Sequence, residues 1–148
     1  MQTVIDKSKE LTTTVRLLNE KLHFEGNVNG NFPVSIDYTP PLGDNLGYTS
    51  LELLLLSLSS CVGSSVLTFL RKMQKSIIAF EISAKGTRRE EHPTGFQTIT
   101  LFISLTSPDT SIADLNKVLK LSEDIYCPLW AMLKGNVEIA VIHSIVKR

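Results

Sequence analysis

Residues 49–70 read TSLELLLLSLSSCVGSSVLTFL, and this stretch decides the fold. Thr49 followed three residues later by Glu52 matches a capping box, in which the two side chains satisfy free backbone N–H groups at a helix start. We therefore predict a helix that begins at this cap and runs to about Met73. Glu52 is the only charge in the stretch, so the helix is apolar on nearly every side. Such a helix is expected at the centre of a fold or of a dimer.

The same stretch is long enough to be tested as a membrane span, because about 20 apolar residues can cross a bilayer. We reject a span, since hydroxyl side chains dilute the apolar character and strand patterns occupy much of the remaining chain. The diluting residues are Ser57, Ser59, Ser60, Ser64, Ser65 and Thr68. The helix is predicted to be buried in protein, with no membrane partner.

Charge and cysteine content indicate which kinds of binding partner and which cellular compartment to expect. Fifteen basic residues balance fifteen acidic ones, which leaves no large field to hold nucleic acid or anionic lipid. Small molecules or protein chains are the predicted partners. Residues 1–10 mix charges of both signs and lack the apolar core of a signal peptide. With two cysteines and no export signal, we predict a cytoplasmic protein with free thiols.

The remaining pattern predicts a single α+β domain over residues 1–148, because the length and the 43% hydrophobic content suit one core. Before the helix, alternation predicts a meander of three strands, followed by a loop rich in proline and glycine. The strands fall at residues 12–18, 21–28 and 33–38, and the loop at residues 40–47.

After the helix, the pattern predicts a β-hairpin, a second helix, a short third helix and a final strand. The hairpin strands are centred on residues 80–84 and 99–105 across a turn at 90–95, the second helix extends from Ser111 to about Ile125, and the final strand covers residues 137–146. Both faces of the final strand are apolar, which predicts cover on both sides.

Cys61 and Cys127 are the only thiols, and their settings differ. Cys61 lies inside the long helix, where a free cysteine commonly packs as a small buried hydrophobe. Cys127 precedes Pro128, so residues 127–135 predict a short helix with Cys127 at its cap and Gly135 at its end. Free N–H groups at a helix start favour a thiolate, which makes Cys127 a candidate reactive thiol.

Two motifs and the order of the elements resemble the OsmC and Ohr hydroperoxide-resistance superfamily. Residues 49–61 look like its acid-then-leucines-to-cysteine motif, and Tyr126-Cys127-Pro128 looks like its second-cysteine motif. The resemblance covers roughly residues 32–146, and the two motifs in this order are more specific than either one alone. It implies an OsmC-like fold and an intertwined homodimer, with the long helices packed in the middle and the thiols at the interface.

The activity that the resemblance implies is thiol-dependent reduction of organic hydroperoxides without a cofactor, metal or prosthetic group. The Cys61 thiolate would attack the O–O bond and become a sulfenic acid. Cys127 would then condense with it to a disulfide, which an external dithiol must reduce before the next turnover. With the resemblance, the preferred interpretation of Cys61 changes from a packing residue to a nucleophile.

Glu52 and Arg16 are the candidate catalytic partners of the thiols. In the best-studied branch of the family, a helix glutamate ten residues before the first cysteine orients an arginine that polarises the peroxide, but Leu51 occupies that position here. Glu52 is nine residues before Cys61 and roughly opposite to it around the helix, so capping is its simpler role. Arg16 is the only arginine before the helix, and an exposed strand charge is its alternative role. An Arg16–Glu52 pair would be the informative contact.

No metal or nucleotide site is predicted. His23, His92 and His143 are widely spaced and have no second ligand nearby at metal-binding spacing. No glycine-rich phosphate loop follows a strand. Apolar residues that follow Cys127 are most simply core, or else walls of a pocket beside the thiols. They are Trp130, Met132 and Leu133.

Two other functions stay open. One is a non-catalytic dimeric domain with structural cysteines that binds a small apolar ligand or a protein partner at the interface. The presence of Leu51 at the expected acid position favours it. The other is thiol chemistry on a sulfur compound other than a peroxide. Loss of both thiols after one equivalent of an organic hydroperoxide would distinguish the peroxidase from either.

Overall fold

The computed structural model describes residues 6–148, in a chain that forms two compact units. The first unit ends at Leu53, and the second runs from Leu54 to Arg148. The elements in chain order are β1 (Thr14–Leu17), β2 (Phe24–Asn27), β3 (Val34–Ile36), α1 (Ser50–Lys72), β4 (Ala79–Arg88), β5 (Phe96–Thr106), α2 (Ile112–Leu121), a π-helix (Ser122–Tyr126), α3 (Pro128–Leu133) and β6 (Glu138–Val146). This order confirms the predicted α+β fold class.

In the first unit, β1, β2 and β3 form the predicted antiparallel meander. Each strand is shorter than its sequence pattern. The turn between β1 and β2 is longer than predicted because the Asn19 side chain accepts hydrogen bonds from the backbone N–H groups of Lys21 at 3.0 Å and His23 at 3.1 Å. An asparagine that bonds nearby backbone in this way favours a turn over further ladder pairing.

Asp37 follows β3 and organises the loop predicted at residues 40–47. Its buried carboxylate accepts backbone N–H bonds from Tyr38 at 2.7 Å and from Asp44 and Leu46 at 3.1 Å each. Burial raises the pKa of this carboxyl, but the backbone donors outweigh burial and hold the pKa below its ordinary value. The loop therefore surrounds the Asp37 carboxylate, whose negative charge is stabilised by backbone N–H groups of the loop itself.

Helix α1 begins and ends close to its predicted bounds. The Thr49 N–H donates to Glu52 Oε1 at 2.9 Å and the Glu52 N–H donates to Thr49 Oγ1 at 3.3 Å, which confirms the capping box. The helix ends at Lys72, and Gln74 redirects the chain with a φ of 60°. Fully buried side chains recur every four residues along one stripe: Leu58, Val62, Val66 and Leu70.

By length and composition alone, α1 could cross a membrane, because an 18-residue window within it has a mean hydropathy of 2.0. Only 33% of that window is buried within the single chain, and core helices of soluble proteins, which are mostly buried, pass the same test. One such helix is therefore weak evidence for a membrane protein.

The second sheet, in the second unit, has the order β4-β5-β6, with β4 antiparallel and β6 parallel to β5. The β4–β5 pair confirms the predicted hairpin. Helix α1 packs on β4 at Gly63, where an added Cβ would lie 3.2 Å from Phe80 and 3.4 Å from Ile82. The face of β5 predicted to be apolar is buried, through Ile99, Leu101, Ile103 and Leu105.

Strand β6 differs from its prediction because only one of its faces is covered within the chain. Ile139, Val141, His143 and Ile145 lie on the half-buried face, whereas Ala140, Ile142 and Val146 are exposed on the other. Within residues 6–148, β6 pairs with β5 and with no further strand. The prediction of cover on both sides is therefore wrong for the single chain.

Helix α2 is also shorter than predicted. Ser111 caps it through reciprocal bonds with Asp114, but regular α-helix ends at Leu121. The chain continues as the π-helix, whose wider turn shifts the following side chains relative to an α-helical stripe. Ile125 is therefore exposed, although its spacing predicted that it belongs with the apolar positions of α2.

Candidate active site

Two elements that are distant in sequence bring the thiols together. Cys61 lies in the middle of α1, and Cys127 is the N-cap of α3. Their Sγ atoms are 2.8 Å apart, with the Cys127 S–H donating to Cys61 Sγ. The sulfurs of a disulfide are about 2.0 Å apart, so bond formation requires an approach of less than about 1 Å.

The backbone before α3 sets the position of Cys127. Its N–H donates to the Ser122 carbonyl at 2.9 Å, and its extended φ and ψ of −94° and 103° redirect the chain into α3. Pro128 occupies the first helical position, where a missing N–H costs no bond. The Trp130 N–H donates to Cys127 Sγ at 3.4 Å, and Gly135 follows the helix with a φ of 91°. These contacts confirm the predicted short helix and both of its ends.

The helix start does not make Cys127 a thiolate, contrary to the sequence prediction. Burial, followed by the hydrogen bond with Cys61, raises the pKa of the Cys127 thiol to about 11. The N–H groups of Trp130 and Leu129 act in the opposite direction but are outweighed. Cys127 is therefore protonated at neutral pH.

The two thiols also differ in their access to solvent. Cys127 is 1% exposed, whereas Cys61 is partly exposed. A dissolved reagent therefore meets Cys61 first.

A hydroxyl pair that sequence reasoning missed also joins the two segments that carry the thiols. Ser65 Oγ on α1 donates to Ser122 Oγ of the π-helix at 2.9 Å. Ser122 is fully buried, and its carbonyl is the one that accepts the Cys127 N–H. No sequence signal marks this pair, because serine is common and the two residues are 57 positions apart.

An aromatic contact joins the same two segments. The ring of Phe69 on α1 and the ring of Tyr126 have centroids 4.5 Å apart and planes tilted by 48°. Lys72 Nζ lies 5.3 Å from the Phe69 centroid, within the range of a cation–π contact. Tilted rings at this separation attract each other, so the contact adds another tie between α1 and the residue before Cys127.

Glu52 and Arg16 form other contacts in this structure. Glu52 caps α1, and the Thr49 N–H, followed by the Thr49 hydroxyl, lowers the pKa of the Glu52 carboxyl. Arg16 is exposed and pairs across the strands with Glu25, at 3.1 Å between Nη2 and Oε1. The informative Arg16–Glu52 pair is absent from the ion pairs of residues 6–148. The catalytic roles of both residues therefore stay predictions.

The apolar residues after Cys127 divide between core and surface. Trp130 is buried, which confirms its predicted place in the core, and Leu133 is half-buried. Met132 is exposed, so its core prediction is wrong. Helix α3 has six residues and buries one side, and Met132 follows Trp130 by two positions, which places it on the opposite side.

The histidines form local hydrogen bonds. His23 Nε2 lies 2.8 Å from Ser35 Oγ, and His143 Nε2 lies 2.8 Å from Asn116 Oδ1. Across residues 6–148, no three His, Cys, Asp or Glu side chains converge to hold a metal ion.

Fold and site together define an α+β protein in which a long apolar helix and the cap of a short helix bring two cysteines into contact. The family model for OsmC-like protein matches residues 43–142. The chain therefore belongs to the OsmC-like family, as its two motifs predicted.

Known proteins resemble the chain in sequence and in structure. Protein YhfA of Escherichia coli K12 is 28% identical over 96 residues, which span 65% of this chain and 72% of YhfA. A hypothetical protein from Aquifex aeolicus VF5 has a TM-score of 0.83 at 24% identity, covering 95% of this chain and 98% of its own. An OsmC like protein from Mycoplasma pneumoniae has a TM-score of 0.80 at 21% identity, with 94% and 99% covered. The organic hydroperoxide resistance protein OhrB of Bacillus subtilis has a TM-score of 0.65 at 16% identity, with 91% and 98% covered.

In a Cys61→Ser variant, we expect the Cys127 thiol to ionise well above the ordinary cysteine pKa of about 8.5, because burial, the largest cause of its raised pKa, is retained. The thiolate then forms only as the pH rises through the raised value. A pH titration of thiolate absorbance in the ultraviolet measures the midpoint, with Cys127→Ser as the control that identifies the signal. A midpoint at or below about 8.5 would contradict a burial-dominated site.

Proposed function

We propose that this protein is a thiol-dependent peroxidase that reduces organic hydroperoxides through a Cys61 sulfenic acid and a Cys61–Cys127 disulfide. The observation that carries the proposal is the 2.8 Å contact between the sulfurs of a partly exposed cysteine, Cys61, and a buried one, Cys127. The close contact supports formation of a disulfide, and the unequal exposure supports Cys61 as the thiol that reacts first.

In the first step, the Cys61 thiolate attacks the terminal oxygen of the hydroperoxide ROOH. An S–O bond forms, the O–O bond breaks, and the alcohol ROH leaves once the alkoxide has taken a proton from solvent. Cys61 is thereby oxidised to the sulfenic acid. Cys127 does not compete for this step, because its raised pKa keeps it protonated and its burial keeps it from solvent.

In the second step, the Cys127 sulfur attacks the Cys61 sulfur. The S–S bond forms, the S–O bond breaks, and water leaves with the Cys127 proton. Because the thiolate is the attacking form, Cys127 must give up its proton as its sulfur bonds to Cys61, and the departing hydroxyl group takes that proton. An external dithiol then reduces the disulfide and becomes a disulfide itself.

The proposal includes a cytoplasmic homodimer in which residues 1–148 act as one domain. Large apolar side chains remain exposed in the single chain, and these include Val15 and Leu17 on β1 and Leu56 on α1. Soluble proteins seldom leave many such side chains uncovered, so a second copy that covers them supports a dimer.

Three solved structures that resemble this chain are organic hydroperoxide resistance proteins by name, and these names support the substrate class. OhrB of Bacillus subtilis is an organic hydroperoxide resistance protein with the same fold. YhfA, which is more similar to this chain in sequence, has a name that states no activity. The hydroperoxide substrate therefore rests mainly on the chemistry of the two thiols. The proposed roles of Glu52 and Arg16 rest on the family resemblance alone.

Cys61→Ser is expected to abolish consumption of cumene hydroperoxide, including the first turnover, because the attacking sulfur is gone. Cys127→Ser is expected to complete one turnover at the parent rate and then stall as the Cys61 sulfenic acid, which drifts to overoxidised forms. Stopped-flow measurement of peroxide loss, with mass analysis of each product, tests both variants.

Two results would contradict the proposed peroxidase cycle. Equal first-turnover rates in Cys61→Ser and the parent would remove Cys61 as the nucleophile. A parent protein that consumes peroxide no faster than free cysteine would contradict the peroxidase. The non-catalytic domain that binds a small ligand or partner would then take its place.

Leu56→Glu is expected to prevent stable dimer formation. Leu56 is 54% exposed in the single chain, so a monomer would tolerate glutamate there, whereas a dimer that covers the position would bury a charge at a cost of several kcal/mol. Sedimentation velocity over a dilution series measures the effect. Ile112→Glu is the control, because Ile112 is exposed in the first turn of α2, where negative charge is favourable. A parent that is a folded monomer at every concentration would overturn the dimer.

A further inference from the structure

The hydroxyl contact between Ser65 and Ser122 forms a second bridge beside the two sulfurs. Ser65 is four residues after Cys61 on α1, so the two side chains lie on one face of the helix, one turn apart. Ser122 accepts the Cys127 N–H through its carbonyl at 2.9 Å. The sulfur contact and the hydroxyl contact therefore join the same face of α1 to the same turn of the chain.

Burial makes this second bridge hard to replace. Ser122 is fully buried, so its hydroxyl cannot readily exchange Ser65 for water. A buried hydroxyl that loses its partner costs more than an ordinary hydrogen bond contributes. The π-helix is thus held at its first residue by Ser65 and at its last by the contact between Tyr126 and Phe69.

We propose that Ser65 and Ser122 are positioning residues that hold Cys127 within bonding reach of Cys61 and thereby favour closure of the disulfide. Ser65 fixes Ser122, and Ser122 fixes Cys127 through the main chain. Holding two groups in reacting geometry raises the effective concentration of one toward the other. This inference rests on the disulfide of the proposed function, but not on a peroxide as its oxidant.

Loss of the bridge is expected to weaken the disulfide relative to the open dithiol by about tenfold, the effect of one hydrogen bond of ordinary net strength. The bridge is present in the dithiol form, so without it Cys127 gains freedom to move away from Cys61, whereas in the disulfide the S–S bond still holds the two residues together. For a two-electron couple, this tenfold change raises the reduction potential by about 30 mV.

The test is a redox titration of the full-length protein against oxidised and reduced dithiothreitol. Two protein S–H bonds break and one S–S bond forms, while two electrons and two protons open the dithiothreitol ring to its dithiol. Ser65→Ala and Ser122→Ala are each expected to raise the potential by a similar amount, and the double variant by no more than one single variant. Ser65→Thr keeps the hydroxyl and is expected to restore the parent potential.

Ser64→Ala is the matched control. Ser64 is exposed beside Ser65, and its hydroxyl donates to the Ser60 carbonyl of the same helix at 2.7 Å. Its removal is expected to leave the potential unchanged. Urea unfolding of each reduced variant measures stability separately. Lower stability with an unchanged potential in Ser65→Ala would overturn the positioning role.

The outcomes separate this inference from the proposed peroxidase. A parent that closes the disulfide with dithiothreitol but consumes no peroxide would overturn the peroxidase, and shifted potentials in the variants would still support the positioning role. Variants at the parent potential, in a protein that consumes peroxide, would overturn the positioning role alone. A parent in which mass analysis finds no link within one chain would overturn both.

Discussion

The buried stripe of α1 is the constraint on which the rest of the structure depends. Each fully buried leucine or valine contributes about 1.5–3 kcal/mol relative to exposure, so the helix strongly resists rotation about its axis. The stripe comprises Leu58, Val62, Val66 and Leu70. Gly63 lets the helix approach Phe80 and Ile82 of β4 closely. A fixed rotation places Cys61 at the border of the stripe, where the residue stays partly exposed and its sulfur contacts that of Cys127.

The chemistry of the pair follows from where each thiol lies. Backbone N–H groups at a helix start favour a thiolate, but removal of the thiol from water acts on the same group in the opposite direction. Burial is the larger effect at Cys127 and raises its pKa. Cys127 is therefore protonated at neutral pH despite its favourable local sequence. A protonated, buried Cys127 reacts slowly with a dissolved peroxide. In the proposed cycle, Cys61 therefore reacts first and Cys127 second.

Local sequence signals were sufficient for most of the fold. The capping box at Thr49 and the proline after Cys127 act within a few residues, so they could be recognised without a structure. The π-helix could not be predicted, because its spacing resembles that of the α-helix it extends, and this misplaced Ile125. Cover on β6 depends on what packs against the sheet, and the Ser65–Ser122 bridge depends on how α1 docks. Neither the cover on β6 nor the Ser65–Ser122 bridge produces a periodic pattern in the sequence.

In the proposed cycle, the two thiols of one chain react one after the other with peroxide as the oxidant. Its most direct measurement is peptide mass analysis after one equivalent of cumene hydroperoxide, with unreacted thiols blocked at successive times. We expect rapid loss of two hydrogens within one chain, located in a peptide pair joined through Cys61 and Cys127. Recovery of both thiols in blocked form, or of Cys61 only as a sulfonic acid beside an untouched Cys127, would contradict this cycle.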